Sequence, residues 1–435
     1  MIWIVYNILF AVGFTLMLPH FIYRMVRRGG YARNFVQRLG FYSRSIRTKL
    51  SAGRHIWIQA VSVGEIFVAF RFMEEIRRRN PDARFVLSTN TSTGYALARS
   101  RIGESDILIY FPVDFPLVMR RVLGLINPAA LILVECELWP NLIRLAKRRG
   151  TPVLLVNGRI SEHSFRGYRK LKFFTKKILP MVDLLCAQSA ADARRLISLG
   201  APERNVKVMG SAKYEVASKD PTGEEKAAAI LKAAGIDITA PILLGGSTWA
   251  GEEKILLNAF KILRDEFKNL QLVLAPRHAE RAGEVIHEIE SAGCRAVQRS
   301  KLDLSAARVW EPDDVLLVDS TGELKNFYPY ATVIFIGKSL TQHGGQNPIE
   351  PAVYGKPVIV GPNMENFPVV MEDFREASAL IQVADETGLH SSIRALLSDA
   401  QLRGDYGGRA ASLVEAKSGA LAETVELIIP HLLKS

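Results

Sequence analysis

Acidic residues are missing from the start of this chain. No Asp or Glu precedes Glu65, although nine Lys and Arg residues lie from Arg24 to Arg54, and the whole chain carries a formal charge of +12. A basic stretch with no acid to neutralise it predicts an anionic partner, whether nucleic acid, anionic lipid or a phosphorylated substrate. Cysteine is scarce too: Cys136, Cys186 and Cys294 lie far apart with no CxxC pair. That excludes a disulfide framework and a zinc ribbon and fits a reducing compartment. His278 and His343 have no partner at ligand spacing, so no metal centre is expected. Also absent are a Walker A sequence, a GxGxxG fingerprint and a DxD motif, which argues against an ATPase, a Rossmann dehydrogenase and a metal-dependent transferase.

What is present begins with an apolar run. Residues Ile2 to Tyr23 contain no charged side chain apart from the titratable His20, and at 1.5 Å per helical residue such a run is about long enough to cross the hydrocarbon core. The positive charges follow the run instead of preceding it, and no A-x-A site is evident, so it reads as an uncleaved anchor and not a signal peptide. It either spans the bilayer or lies in one leaflet. Arg24, Arg27 and Arg28 come next, and the positive-inside rule then leaves the rest of the chain in the cytoplasm. The competing structural reading is an ordinary core helix.

With 435 residues, 48% of them hydrophobic, the chain is too long for one ordinary core and fits two domains. From Ile56 to about Ile178 apolar runs alternate with helical patterns: HIWIQAVS, IFVAFRFMEEIRRR, ARFVLST, a loop, AALILVECEL, PNLIRLAKRRG and PVLLVNG. VDLLCAQS, AADARRLISLG and NVKVMG complete a first doubly wound unit. Strands apolar on both faces belong in a parallel sheet covered by helices. The polar, Ala- and Lys-rich segment Val216 to Ala240 suits a connector and a peripheral helix, which places a boundary near Lys219. A second alternation comes after it, with PILLGGST, LQLVLAPRH, a helix from Ala279 to Gly293, VLLVDS, a helix near Leu324 to Tyr330, TVIFIG and PVIVGP. The expected domains are an anchor at 1–23, an acceptor-binding domain at 24–218 and a donor-binding domain at 219–435.

Open α/β sheets bind ligands at the carboxyl ends of their strands, so the loops after strands carry the chemistry. Glu65 stands at a turn opened by Gly64, where it could act as a general base toward a hydroxyl or only favour the dipole of its helix. Glu135 leaves a strongly apolar strand and could hold Glu65 or an acceptor by hydrogen bonding or stabilise positive charge, while Glu137 suits a helix cap and Trp139 packing. In the second domain the strand ends read Gly245-Gly246-Ser247-Thr248, Pro276-Arg277-His278, Ser320-Thr321-Gly322-Glu323 and Gly344-Gly345-Gln346-Asn347-Pro348-Ile349-Glu350. Small residues expose backbone N–H groups and Arg277 can fork onto phosphate, so a nucleotide pocket is expected; singly, each glycine could be only a turn.

Taken together, these residues resemble the family of 3-deoxy-D-manno-octulosonic acid (Kdo) transferases of lipid A and lipopolysaccharide core biosynthesis. The strings VSVGE, ELWPN, NGRIS, GSAKYE, APRHAER, DSTGEL and GGQNPIEPAVYGKPVIVGP carry the resemblance, which runs from the anchor nearly to the C-terminus. It implies a GT-B fold of two Rossmann-like domains facing across a cleft behind a membrane-anchor helix. It also implies CMP-Kdo as donor, a lipid A disaccharide precursor of the lipid IVA type as acceptor, and no obligate cofactor or metal. By position, Glu65 matches the catalytic base, and Glu135 and Lys213 match residues that stabilise the transition state. The nucleotide falls to Pro276, Arg277, Thr321, Gly322, Glu323, Asn347, Pro348, Ile349 and Glu350. The partners implied are the donor, the lipid acceptor and membrane lipids, not nucleic acid, at the cytoplasmic face of a bacterial inner membrane. Two residues depart from the pattern: Lys338 stands where glycine is usual, and Gln346 where His is usual. A UDP-dependent enzyme of the same fold and a noncatalytic membrane-bound sensor are the alternatives.

Overall fold

A computed structural model describes residues 2–28, 32–135, 138–215, 217 and 219–432, the side chains of residues 20–34 excepted. It divides into two compact units: Met1–Val216 with Gly419–Ser435, and Ala217–Ser418.

Among the described residues the first unit holds a seven-stranded sheet. The strands are β1 (Ile56–Gln59), β2 (Phe85–Thr89), β3 (Ile107–Tyr110), β4 (Ala130–Val134), β5 (Val153–Gly158), β6 (Leu184–Ala187) and β7 (Val206–Val208). Their order is β3-β2-β1-β4-β5-β6-β7 and every pairing is parallel. Side chains alternate between the faces with a period of two, which supplies two separate cores. Trp57, Leu131, Leu133 and Leu155 pack on one face, and Ile58, Ile132, Val134 and Val156 on the other. Strands buried on both faces must be apolar throughout, which is why their sequences read as unbroken hydrophobic runs. One expectation fails here. The stretch after ARFVLST, read as a loop, forms helix Ser92–Arg99, edge strand β3 and helix Pro116–Ile126. ILIY is only four residues long and sits between Gly103 and Pro112, so its signal is that of a turn-rich segment.

The second unit contains β8 (Ile242–Thr248), β9 (Gln271–Pro276), β10 (Arg295–Gln298), β11 (Asp314–Leu317), β12 (Val333–Ile336), β13 (Val358–Val360) and β14 (Ile381–Gln382). These also form a parallel sheet, in the order β10-β11-β9-β8-β12-β13-β14. The outer strand β10, RAVQ, is too short and polar to stand out in the sequence. The helix expected near Leu324 to Tyr330 is two 3-10 turns, Leu324–Asn326 and Tyr328–Tyr330, because Pro329 brings no N–H to an α-helical ladder.

The domain expected at 219–435 needs correction at its far end. Residues from Gly419 onward belong to the first unit, where helix Ala420–Leu432 packs against helix Val63–Arg79. Leu421, Val425, Ile428 and Leu432 recur at helical spacing and bury among Phe72, Ile76 and Ile58. Glu215 secures the return by accepting the N–H groups of Gly419 (2.8 Å) and Leu421 (3.0 Å). A boundary drawn along the sequence misses a chain that doubles back.

Candidate functional site

Glu65 stands in the first turn of the helix after β1. Ser62 caps that helix, its hydroxyl accepting the Glu65 N–H at 3.2 Å. The Glu65 carboxylate in turn accepts the N–H groups of Val61 (2.8 Å) and Ser62 (3.2 Å). The helix-favouring role weighed from the sequence is therefore present as a full capping box. More is present than a cap. Glu65 is 8% exposed, and burial, followed by the negative charge of Glu135, pushes its carboxyl above the ordinary range against the pull of those donors.

Glu135 comes directly after β4 with φ +59°, a left-handed conformation that a non-glycine residue adopts at a cost, and its N–H is held by the Val156 carbonyl at 3.0 Å. Lys213 Nζ lies 3.2 Å from Glu135 Oε1, both side chains about four-fifths buried. Asn157, which lies in β5 at φ +52°, ties the Lys213 turn to the sheet: its Oδ1 accepts the Ala212 N–H at 3.0 Å and its carbonyl accepts Gln188 Nε2 at 2.9 Å. The Asn157 Nδ2 is buried without a protein partner. The structure thus brings Glu65, Glu135 and Lys213 into one electrostatic group and adds Asn157, which sequence reasoning left inside NGRIS without a role. Glu137 and Cys136 lie outside the described residues. Trp139 packs on Phe111 with ring centroids 4.7 Å apart, as its packing role requires.

In the second unit Pro276 ends β9 and Arg277 comes next, its side chain exposed and its N–H held by the Thr248 carbonyl at 3.0 Å. Asn347 Nδ2 donates to Glu350 Oε1 at 3.3 Å, and its Oδ1 accepts the Ile349 N–H at 3.1 Å, which fixes the short turn from Pro348. Burial raises the Glu350 carboxyl, opposed by Asn347 and by the charges of Arg277 and Lys325. Burial and then Glu350 likewise raise the Tyr328 hydroxyl, with Arg277 opposing, so Arg277, Tyr328 and the Asn347–Glu350 turn share one locality. Thr321 and Gly322 form an exposed turn. Glu323 is already engaged: Arg299 donates to it at 2.9 and 3.1 Å and the Ser320 hydroxyl also donates. Burial works against its charge, yet these donors hold its carboxyl below the ordinary range.

The residue that organises these loops was not among the expected ones. Glu252, fully buried, accepts four backbone N–H groups: Trp249 at 2.9 Å and Lys338 at 2.8 Å on one oxygen, Ser339 and Leu340 at 3.0 Å each on the other. It joins the loop after β8 to the loop after β12. Gly337 is required at this junction, since a Cβ there would come within 2.6 Å of the Glu252 carboxylate and the Ser247 carbonyl. Lys338 has φ +56°, a left-handed conformation that glycine adopts most easily, and its ammonium lies 4.8 Å from the centre of the Trp249 ring. The sequence signal for Glu252 is only a pair of acids opening a helix after Gly251. His343 bonds Glu365 at 2.9 Å, and among the described residues no three His, Cys, Asp or Glu side chains are grouped to hold a metal ion.

Comparison with known proteins places this arrangement. Residues 33–216 match the family described as 3-deoxy-D-manno-octulosonic-acid transferase (kdotransferase). The 3-deoxy-D-manno-octulosonic acid transferase of Haemophilus influenzae is 30% identical over 408 residues, which cover 94% of this chain and 93% of that protein. The chain belongs to the Kdo transferase family. The Bordetella pertussis member is also 30% identical, over 96% of both chains. As a Kdo transferase, this chain is a glycosyltransferase. Its fold is of GT-B type, with two parallel α/β domains and an N-terminal apolar helix. A UDP-GlcNAc 2-epimerase from Neisseria meningitidis superposes with a TM-score of 0.58 at 13% identity, covering 88% of this chain and 100% of the other, a likeness of fold.

Proposed function

We propose that this Kdo transferase moves Kdo from CMP-Kdo to a primary hydroxyl of a lipid A disaccharide precursor of the lipid IVA type, in an inverting single displacement with no resident metal. Glu65 takes the proton of the acceptor hydroxyl as its oxygen attacks the anomeric carbon and CMP departs. The observation that carries this reading is the Glu65 carboxyl, held above its usual range by burial and by Glu135 beside the Glu135–Lys213 ion pair. A base with a raised pKa accepts a proton more readily. Glu135 and Lys213 balance charge that develops in the transition state.

In the second unit, Pro276, Arg277, Thr321, Gly322, Asn347, Pro348, Ile349 and Glu350 hold the cytidine nucleotide. Arg277 meets phosphate, and Glu350 accepts from ribose hydroxyls. Glu323, bound to Arg299, offers its backbone in place of its carboxylate. The apolar N-terminal helix keeps the enzyme at the cytoplasmic face of the inner membrane, where the lipid acceptor resides, and the basic stretch from Arg24 to Arg54 meets anionic headgroups or acceptor phosphates. Incubating the full-length enzyme with CMP-Kdo and a lipid A precursor should yield the Kdo-glycolipid by mass spectrometry. Transfer from UDP-sugars but not CMP-Kdo would overturn the donor assignment, and nucleotide binding without turnover would favour a sensor.

A further inference from the structure

The sequence leaves helix Ile2–Arg28 two ways of meeting a bilayer, crossing it or lying in one leaflet, and its contacts separate them. By length and composition Ile2–Pro19 suffices to cross. Its faces differ, however. Trp3, Tyr6, Asn7, Phe10 and Phe14 turn toward the first unit: the Tyr6 ring stacks on Phe174 at 5.3 Å, and Phe10 and Phe14 meet Phe115 edge-on at 5.2 and 5.4 Å. Two polar bonds to buried partners complete the seat. The Tyr6 hydroxyl donates to Asp114 Oδ2 at 2.8 Å, and Asn141 Nδ2 donates to Asn7 Oδ1 at 2.7 Å. Asp114 and Asn141 are 1% and 0% exposed. The Asp114 carboxylate also accepts the N–H groups of Asn141 and Leu142 at 2.9 Å each, so the same group that holds Tyr6 caps helix Pro140–Arg148. Residues 3 to 14, about 17 Å of helical rise, therefore lie along the protein.

The opposite face is apolar and open: Ile4, Ile8, Leu9, Val12, Leu16 and Met17 are 53–75% exposed. Leu117, two residues past Phe115, and Leu171 and Phe173, beside Phe174, are exposed as well. Cations stand at both ends of the run. The Arg144 guanidinium lies 4.5 Å from the centre of the Trp3 ring, and burial, then the nearby Arg148 and Arg120, press its pKa below the usual range. Arg24, Arg27 and Arg28 come after the other end in the sequence. A helix that crossed the membrane would carry Trp3 across a core of about 30 Å, and with it Arg144 and the Asp114 carboxylate, at a large cost in desolvation. A helix in the plane of the interface needs no such transfer.

We propose that this helix is an in-plane foot of the first unit, latched by Tyr6–Asp114 and Asn7–Asn141, with its outer face in a single leaflet of an anionic lipid surface. The inference rests on the membrane reading given under Proposed function. The test adds the full-length protein to sealed vesicles of phosphatidylglycerol and phosphatidylethanolamine, with Ile2→Cys probed by a membrane-impermeant maleimide and the wild type correcting for native thiols. Flotation with the vesicles and labelling from outside, to the extent reached in detergent, is the expected result. Flotation with labelling only after the vesicles are opened would overturn the foot and leave the anchor standing. Absence of flotation would overturn both. In a second measurement, Asn7→Cys/Asn141→Cys on the vesicles should form an intramolecular disulfide in most molecules under mild oxidation, with neither single variant doing so. Failure of the folded double variant to bridge would overturn the latch.

Discussion

In the first unit the Glu65 carboxylate lies at a strand end where burial and Glu135 oppose its ionisation, and each of its oxygens is held by one backbone N–H. In the second unit Glu252 is more deeply placed, but both of its oxygens are committed, two N–H groups to each. The two glutamates come after the same kind of strand and open the same kind of helix. One keeps lone pairs and a raised proton affinity, as the proposed base requires, whereas the other is used up in holding backbone. What separates them is the number of unsatisfied donors the local fold points at each carboxylate, and that number is invisible in the residue type.

The largest effect that would sharpen this contrast is on turnover. Glu65→Gln should keep the capping box, because glutamine also serves at that position, while transfer falls about a hundredfold to ten-thousandfold. Donor affinity should stay near that of the wild type, and stability should fall by about 1–3 kcal/mol, because an amide oxygen kept on the Ser62 N–H turns an NH2 group toward that of Val61. Normal turnover in Glu65→Gln together with its loss in Glu135→Gln would move the base to Glu135. A pH profile adds the sign. The base acts when ionised, so activity falls as pH drops through its pKa, and that acid limb should lie above the range of an unperturbed carboxylate. Removing the Glu135 charge with Glu135→Gln should move the limb of the residual activity to lower pH. An unmoved limb would break the proposed coupling.

Glu252→Gln should act on stability and not on chemistry. It turns an NH2 group toward two N–H donors, at about 1–3 kcal/mol for each one left unsatisfied, or about 2–6 kcal/mol together by denaturant titration. CMP binding should weaken with it. Unchanged stability would show that the loops after β8 and β12 hold without this carboxylate. Arg277→Ala should then weaken CMP binding by about 1.5–3 kcal/mol with stability intact, the loss expected for a charge-assisted donor, measured by calorimetry. The smallest effect belongs to Lys338. With φ +56°, Lys338→Gly should be more stable than Lys338→Ala by about 1 kcal/mol, since only glycine escapes the left-handed penalty. Equal stability of the two would show that the turn relaxes when the cation is removed.

Much of this was legible in the residues because it depended on local rules. Both alternations of apolar runs and helices announced parallel sheets; Glu65, Glu135 and Arg277 stood out because each lies just beyond a strand, and Glu350 because it opens a helix after Asn347-Pro348. Short strands with turn-like flanks, β3 and β10, carried too few residues to register. Glu252, Asn157 and Asp114 escaped for a different reason. Each acts on backbone or side-chain groups that the fold brings near, such as Lys338 to Leu340, 86 to 88 residues beyond Glu252, and no spacing rule links positions so far apart.

The sequence by itself determined the two α/β sheets, the apolar N-terminal run, the basic stretch behind it and the family strings, because hydrophobic period, charge and motif are properties of neighbouring residues. Only the tertiary structure decided that residues from Gly419 return to the first unit and that Lys213 sits against Glu135. It alone turned one face of the N-terminal helix onto Asp114 and Asn141 and left the other face open. Those outcomes depend on which surfaces meet across large sequence separations. Burial energy selects them by matching apolar faces and satisfying buried donors, conditions that exist only once the chain is folded.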